Sequence, residues 1–127
     1  MKAFALVLAG LMASGTAHAG QPFEESLVEC AVLIEALTGD QTPVPGQNAM
    51  LDYYVGTATN MRAEAERMRN ASYVSEMAVQ KRVVWEKRWE DGNWDDPANR
   101  QEVADWMQYC FKFAEHLGVE GPKPFDK

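Results

Sequence analysis

A chain of 127 residues with 19 acidic and 12 basic side chains, net charge −7, is long enough for one domain that buries roughly two thirds of its unfolded surface and too short for a second. Its charge argues against a nucleic-acid backbone or an anionic membrane as the main partner, because both repel it at long range. It suits a basic partner, or plain solubility.

Residues 1–19, MKAFALVLAGLMASGTAHA, carry one lysine, an apolar run from Ala3 to Ala13, and Ala17-His18-Ala19 in the small-x-small pattern of a signal-peptidase site. They read as a cleaved secretory signal. The run is too short to anchor the chain in a bilayer, and Gly20 after the cut leaves no cysteine for a lipid. The expectation is a soluble exported protein, periplasmic or secreted. Removing the segment removes Lys2, leaving 108 residues with net charge −8.

Phe23, Leu27, Cys30, Ala31, Ile34 and Leu37 recur every three or four positions and predict a helix over 23–37 with these residues inward, ended by Gly39. Asp40-Gln41-Thr42-Pro43-Val44-Pro45-Gly46-Gln47 is a loop. Asn48 caps a second helix running to about Arg69, with Leu51, Tyr54, Val55, Ala58, Met61, Ala65 and Met68 inward and Arg62, Glu66 and Arg67 outward. Asn70-Ala71-Ser72 reads as a helix cap ahead of a glycosylation acceptor. A third helix, roughly 73–90, turns Val74, Met77, Ala78, Val84, Trp85 and Trp89 inward, and a fourth, 99–117, does so with Val103, Met107, Cys110, Phe111 and Ala114 before Gly118 stops it. Residues 119–127 form an extended, partly mobile tail.

No stretch alternates at period two, so the fold class is all-α. Four helices with short connections predict a single up-down-up-down bundle over 20–118, in which the first and fourth helices are neighbours. Cys30 and Cys110 are the only cysteines and lie on inward faces of those two helices. Export favours their oxidation, so one disulfide linking them is expected.

The stretch DGNWDDPANRQE, Asp91 to Glu102, places Asp91, Asn93, Asp95, Asn99 and Glu102 at five ligand positions of a twelve-residue calcium loop. Against this, Asp96 occupies the sixth position, where the turn needs glycine, and Pro97 follows it. The same residues spell a helix start: Asn99 and Glu102 form a capping box, or Asp96 caps with Pro97 at the first helical position. Calcium is therefore the cofactor this loop offers, and it ranks behind the cap.

Trp85, Trp89, Trp94 and Trp106 fall within 22 residues and are expected to meet at one end of the bundle. As packing they make a satellite core. As a contact surface, with Glu86, Glu90, Asp91, Asp95 and Asp96 around them, they would draw in a basic partner, and Trp94 in the loop would be the most telling residue. Lys81, Arg82, Lys87 and Arg88 read as a solvated face paired with Glu86 and Glu90 rather than an anion-binding strip.

His116 is the one histidine left after cleavage. Without a Cys-x-x-Cys-His signature, a haem held by it and Met68 or Met77 is disfavoured, the methionines reading as core filling. No serine or free thiol lies near it in sequence to build a catalytic set. The expected function is non-catalytic: a small exported helical protein that binds another protein, as inhibitor, immunity-type factor, chaperone or assembly subunit. The alternative is a ligand- or metal-binding helical module using the loop 91–102. Nothing in the sequence selects an oligomeric state.

Overall fold

The computed structural model describes residues 20–39, 42–92 and 95–124, with backbone alone at 90–92. The expected signal segment, Asn93 and Trp94 lie outside the described residues. Among the described residues the chain forms four helices and no strand: α1 (Phe23–Thr38), α2 (Ala49–Met68), α3 (Ala71–Gly92) and α4 (Pro97–Leu117).

Side chains set three of the four starts. Asn48 accepts from the Leu51 N–H at 3.0 Å, and Asn70 from the Tyr73 N–H at 2.8 Å. At α4 the cap is Asp96, which accepts from the Ala98 N–H at 2.9 Å, with Pro97 first in the helix. The Asn99 cap gives way because proline at 97 is already shaped for a first helical turn and leaves no N–H to satisfy. Gly118, at φ 70°, takes the left-handed conformation that closes α4.

Cross-helix pairs fix the directions. Glu24 meets Arg69 and Glu35 meets Arg62, so α2 runs antiparallel to α1. Glu25 meets Lys81, while Ala36 and Gly39 lie with Glu86 and Trp89, so α3 returns parallel to α1. Phe23 meets Phe113 edge-on at 5.5 Å and Cys30 is bonded to Cys110, so α4 runs antiparallel. This is the up-down-up-down order. The disulfide, with Cα atoms 5.5 Å apart, ties the first helix to the fourth.

The helices do not share the core equally. Every residue from Ser26 to Ile34 is buried, so α1 is the central helix, covered on all sides. A helix apolar all round belongs in the middle of a core rather than at its edge. The expected single inward face is corrected accordingly: Val28, Val32 and Leu33 are buried as deeply as Leu27 and Ile34, whereas Phe23 and Leu37, at the two ends, are exposed. Each fully buried aliphatic side chain contributes roughly 1.5–3 kcal/mol. Met68 and Val84 are likewise exposed instead of inward, Met68 because it closes α2 and Val84 because the inward face of α3 runs through Val74, Ala78 and Trp85.

Beyond α4 the chain crosses α2 at a glycine pair. The Gly121 N–H donates to Thr57 Oγ1 at 2.9 Å, Asn60 Nδ2 donates to the Glu120 carbonyl at 3.1 Å, and the Tyr53 hydroxyl donates to Glu120 Oε2 at 2.9 Å. A Cβ on Gly121 would stand 2.6 Å from the Tyr53 carbonyl oxygen and 2.8 Å from the Thr57 nitrogen, so only glycine permits this approach. Residues 120–122 therefore lie docked on α2, Gly121 being buried. Burial, then the hydrogen bond to Glu120 and its charge, push the Tyr53 hydroxyl up to about 12. The folded protein holds that proton more tightly than the unfolded chain, so the contribution is complete below about pH 10 and is lost as pH rises towards about 12. Gly121→Ala is expected to release the tail at neutral pH, returning the Tyr53 titration towards about 10 and removing exchange protection at residue 121. A phenolate absorbance titration, with Tyr53→Phe identifying the signal, checks the first outcome, and amide hydrogen exchange checks the second.

Candidate functional site

The site is assembled from the carboxylates of α1. Helix α1 carries Glu24, Glu25, Glu29 and Glu35 and no basic residue, and each carboxylate faces a cation from α2, from the residue that ends it, or from α3. Arg69 lies 3.4 Å from Glu24. Arg62 grips Glu35 with two bonds, Nε to Oε2 at 2.6 Å and Nη2 to Oε1 at 2.7 Å, while Arg82 stands 3.7 Å from the same carboxylate. This fork geometry is the strong form of a charge-assisted hydrogen bond, and it holds the Arg62 guanidinium above its ordinary pKa.

Glu29 is buried among the aliphatic residues of α1. Its Oε2 accepts from Trp85 Nε1–H at 2.9 Å; its Oε1 accepts from Gln21 Nε2 at 3.1 Å and lies 3.1 Å from Lys81 Nζ. Lys81 also donates to Glu25 at 2.7 Å. Burial works against the Lys81 ammonium, but its bond to Glu25 and the charge of Glu29 outweigh burial and raise its pKa. A buried carboxylate is tolerable only when satisfied in this way. The network fixes the rotation of α3 against α1, because Lys81 and Trp85, one turn apart, must both reach Glu29.

That rotation leaves a depression of about 380 Å³ between the last turns of α1 and α3, lined by Glu35, Ala36, Gly39, Arg82, Glu86 and Trp89. Trp89 supplies the indole wall; Glu35, Arg82 and Glu86 supply the charges. An amphipathic wall inside a charged rim is chemically suited to an apolar group beside a cation.

Among the expected contact residues, Trp85 and Trp106 are only 2% and 3% exposed. They meet edge-on at 5.8 Å as part of the core and present no contact surface. Half-buried Trp89, 6.2 Å from Trp85, connects that core to the depression. Trp94 lies outside the described residues, as do the side chains of Glu90 and Asp91. Asp95 and Asp96 are exposed, the latter engaged as the α4 cap.

Of the calcium-loop candidates, Asp91 belongs to the last turn of α3 and Asn99 to the first turn of α4, which begins at the seventh of the twelve loop positions. Glu102 pairs with Arg88 at 2.8 Å, and Asn93 lies outside the described residues. Among the described residues no three histidine, cysteine or acidic side chains gather as metal ligands.

Three of the four α3 cations reach other helices instead of the expected local partners. Lys81 and Arg82 reach back to α1, and Arg88 lies 4.9 Å over the Trp85 ring while bonding to Glu102 on α4. His116 and Met68 are both exposed. Sequence reasoning missed Glu29 and the lining residues Glu35, Ala36 and Gly39, and read Arg82 as part of a solvated face. The signal for Glu29 was present: one carboxylate inside Leu27-Val28-Glu29-Cys30-Ala31-Val32 has no solvated face to occupy once the run is buried. No protein-family model, no curated protein and no solved structure matches this chain.

Proposed function

We propose that this is an exported, non-catalytic protein that binds another, basic protein at the depression between α1 and α3. The indole of Trp89 beside Glu35, Arg82 and Glu86 carries the proposal, because half-buried tryptophan beside charged groups is the composition of a binding hot spot. The charge balance and the Cys30–Cys110 bond support it, since the first steers a basic target inward and the second suits an oxidising compartment. The alternative, a small-ligand site at this end of the bundle, is supported by the volume of the depression, about 380 Å³, which falls in the range of ligand pockets.

Trp89→Ala is expected to leave the bundle folded and to weaken capture of the partner from the exported fraction about 30-fold, or about 2 kcal/mol. Added salt slows association more than it changes release. Titration of the captured partner against wild type and variant decides the matter. Equal affinities, with both proteins fully folded by circular dichroism, would move the binding surface elsewhere.

A further inference from the structure

The Cys30–Cys110 bond is sealed, both cysteines being 0% exposed. Thiol–disulfide exchange requires a thiolate to reach one of the sulfurs, so its rate depends on how often α4 lifts from α1. Whatever holds α4 down decides whether the bond can be reduced.

Two attachments of α4 to α2 meet at Tyr53. Phe111, the residue after Cys110, stacks on the Tyr53 ring at 5.3 Å and tilts against Tyr54 at 5.2 Å. The Tyr53 hydroxyl holds Glu120 of the tail, and Thr57, one turn further along α2, holds the Gly121 N–H. Only Gly118 and Val119 separate Glu120 from the end of α4, and the Val119 N–H is tied back to the Ala114 carbonyl at 3.0 Å. From Leu117 to Glu120 the chain reaches at most about 11 Å, so a seated tail keeps the last turn of α4 beside α2. The seat needs glycine on both sides. A Cβ on Gly56 would stand 3.1 Å from the Gly121 Cα, as one on Gly121 would strike the α2 backbone.

We infer that the docked tail is the latch on the disulfide. Reduction proceeds through release of Glu120 and Gly121 from α2 and the local lifting of α4 that follows; while they are seated, the bond is closed to dithiols. The chemistry after opening is ordinary exchange. One thiolate of the dithiol attacks a sulfur, the S–S bond breaks, and the other cysteine leaves as a thiolate that takes up a proton. The second thiol of the reductant loses its proton and displaces the bound cysteine, so the protein gains two thiols and the reductant leaves as its disulfide. The depression between α1 and α3 takes no part, and the inference stands apart from the proposed binding function.

Reduction of the native, oxidised protein by excess dithiothreitol, without denaturant and read as alkylated thiols by mass, tests it. Gly121→Ala, and Thr57→Val, which leaves the Gly121 N–H without its acceptor, are each expected to speed reduction roughly tenfold or more with unchanged helical circular dichroism. Tyr53→Phe keeps the ring on Phe111 and removes one bond to the tail, so it speeds reduction less. Val74→Ala, on the buried face of α3, lowers the urea midpoint but is expected to leave the rate within about twofold of wild type. Rates for Gly121→Ala and Thr57→Val that match wild type overturn the inference. So does a rate that follows the urea midpoint across all four variants, since the bond would then open only by global unfolding.

Discussion

Reducing the Cys30–Cys110 bond is expected to lower the thermal midpoint by roughly 20 °C, the largest single effect in the molecule. The bond spans 80 residues, and in the chain-entropy model opening such a loop returns about 4–5 kcal/mol of freedom to the unfolded state. In a domain of this size each kcal/mol shifts the midpoint by about 4–8 °C. Both sulfurs are fully buried, and the bond joins the central helix to the last one. Helix α4 is then the first to loosen, and the near-ultraviolet signal of the Trp85–Trp106 pair fades at a lower temperature than the helical signal. Melting with and without reductant, followed by both signals, checks this. An unchanged midpoint would mean that α4 is held by its side-chain contacts alone.

Removing the buried carboxylate is the second large effect. Glu29→Ala leaves the Lys81 ammonium, with a side chain 15% exposed, facing Glu25 alone, and strips Trp85 Nε1 of its acceptor. Breaking one partner out of a buried pair costs about 3–5 kcal/mol, whereas replacing both with apolar groups of similar volume is close to neutral. Glu29→Leu with Lys81→Met is therefore expected to recover most of the loss, less about 1–3 kcal/mol for the orphaned indole N–H. Urea denaturation of the single and double variants separates these contributions. A Glu29→Ala protein within 1 kcal/mol of wild type would show that the network follows the packing of α3 rather than setting it.

The helices and the disulfide were legible in the sequence because local rules govern them. Asn48 caps α2, Gly118 ends α4, and two cysteines on apolar faces of the first and last helices meet. The central placement of α1 was less legible. Period reasoning selects one face, whereas Leu27 to Ile34 is apolar on every face but one, and the presence of a solvated side depends on how many neighbours the helix acquires. Cross-helix ion pairs were not legible at all: Lys81 and Glu86 look paired along α3, yet Lys81 turns to Glu25 and Glu29 on another helix. The tail shows the same limit. Its glycines and prolines signal the absence of regular structure, while the Gly56 and Gly121 crossing needs α2 to be in place. Of the tryptophans, spacing showed that they gather, but only packing separates buried Trp85 and Trp106 from half-buried Trp89.

The depression between α1 and α3 is the centre of the functional account, and a photo-crosslinking amino acid at Ala36, which lines it, tests it most directly. The control is the same group at Thr59, on the exposed face of α2. Irradiated in the exported fraction, the Ala36 probe is expected to give one adduct with a basic protein, diminished by Trp89→Ala and by added salt, while the Thr59 probe gives none. Adducts from Thr59 and none from Ala36 would contradict the assignment of the partner to this face.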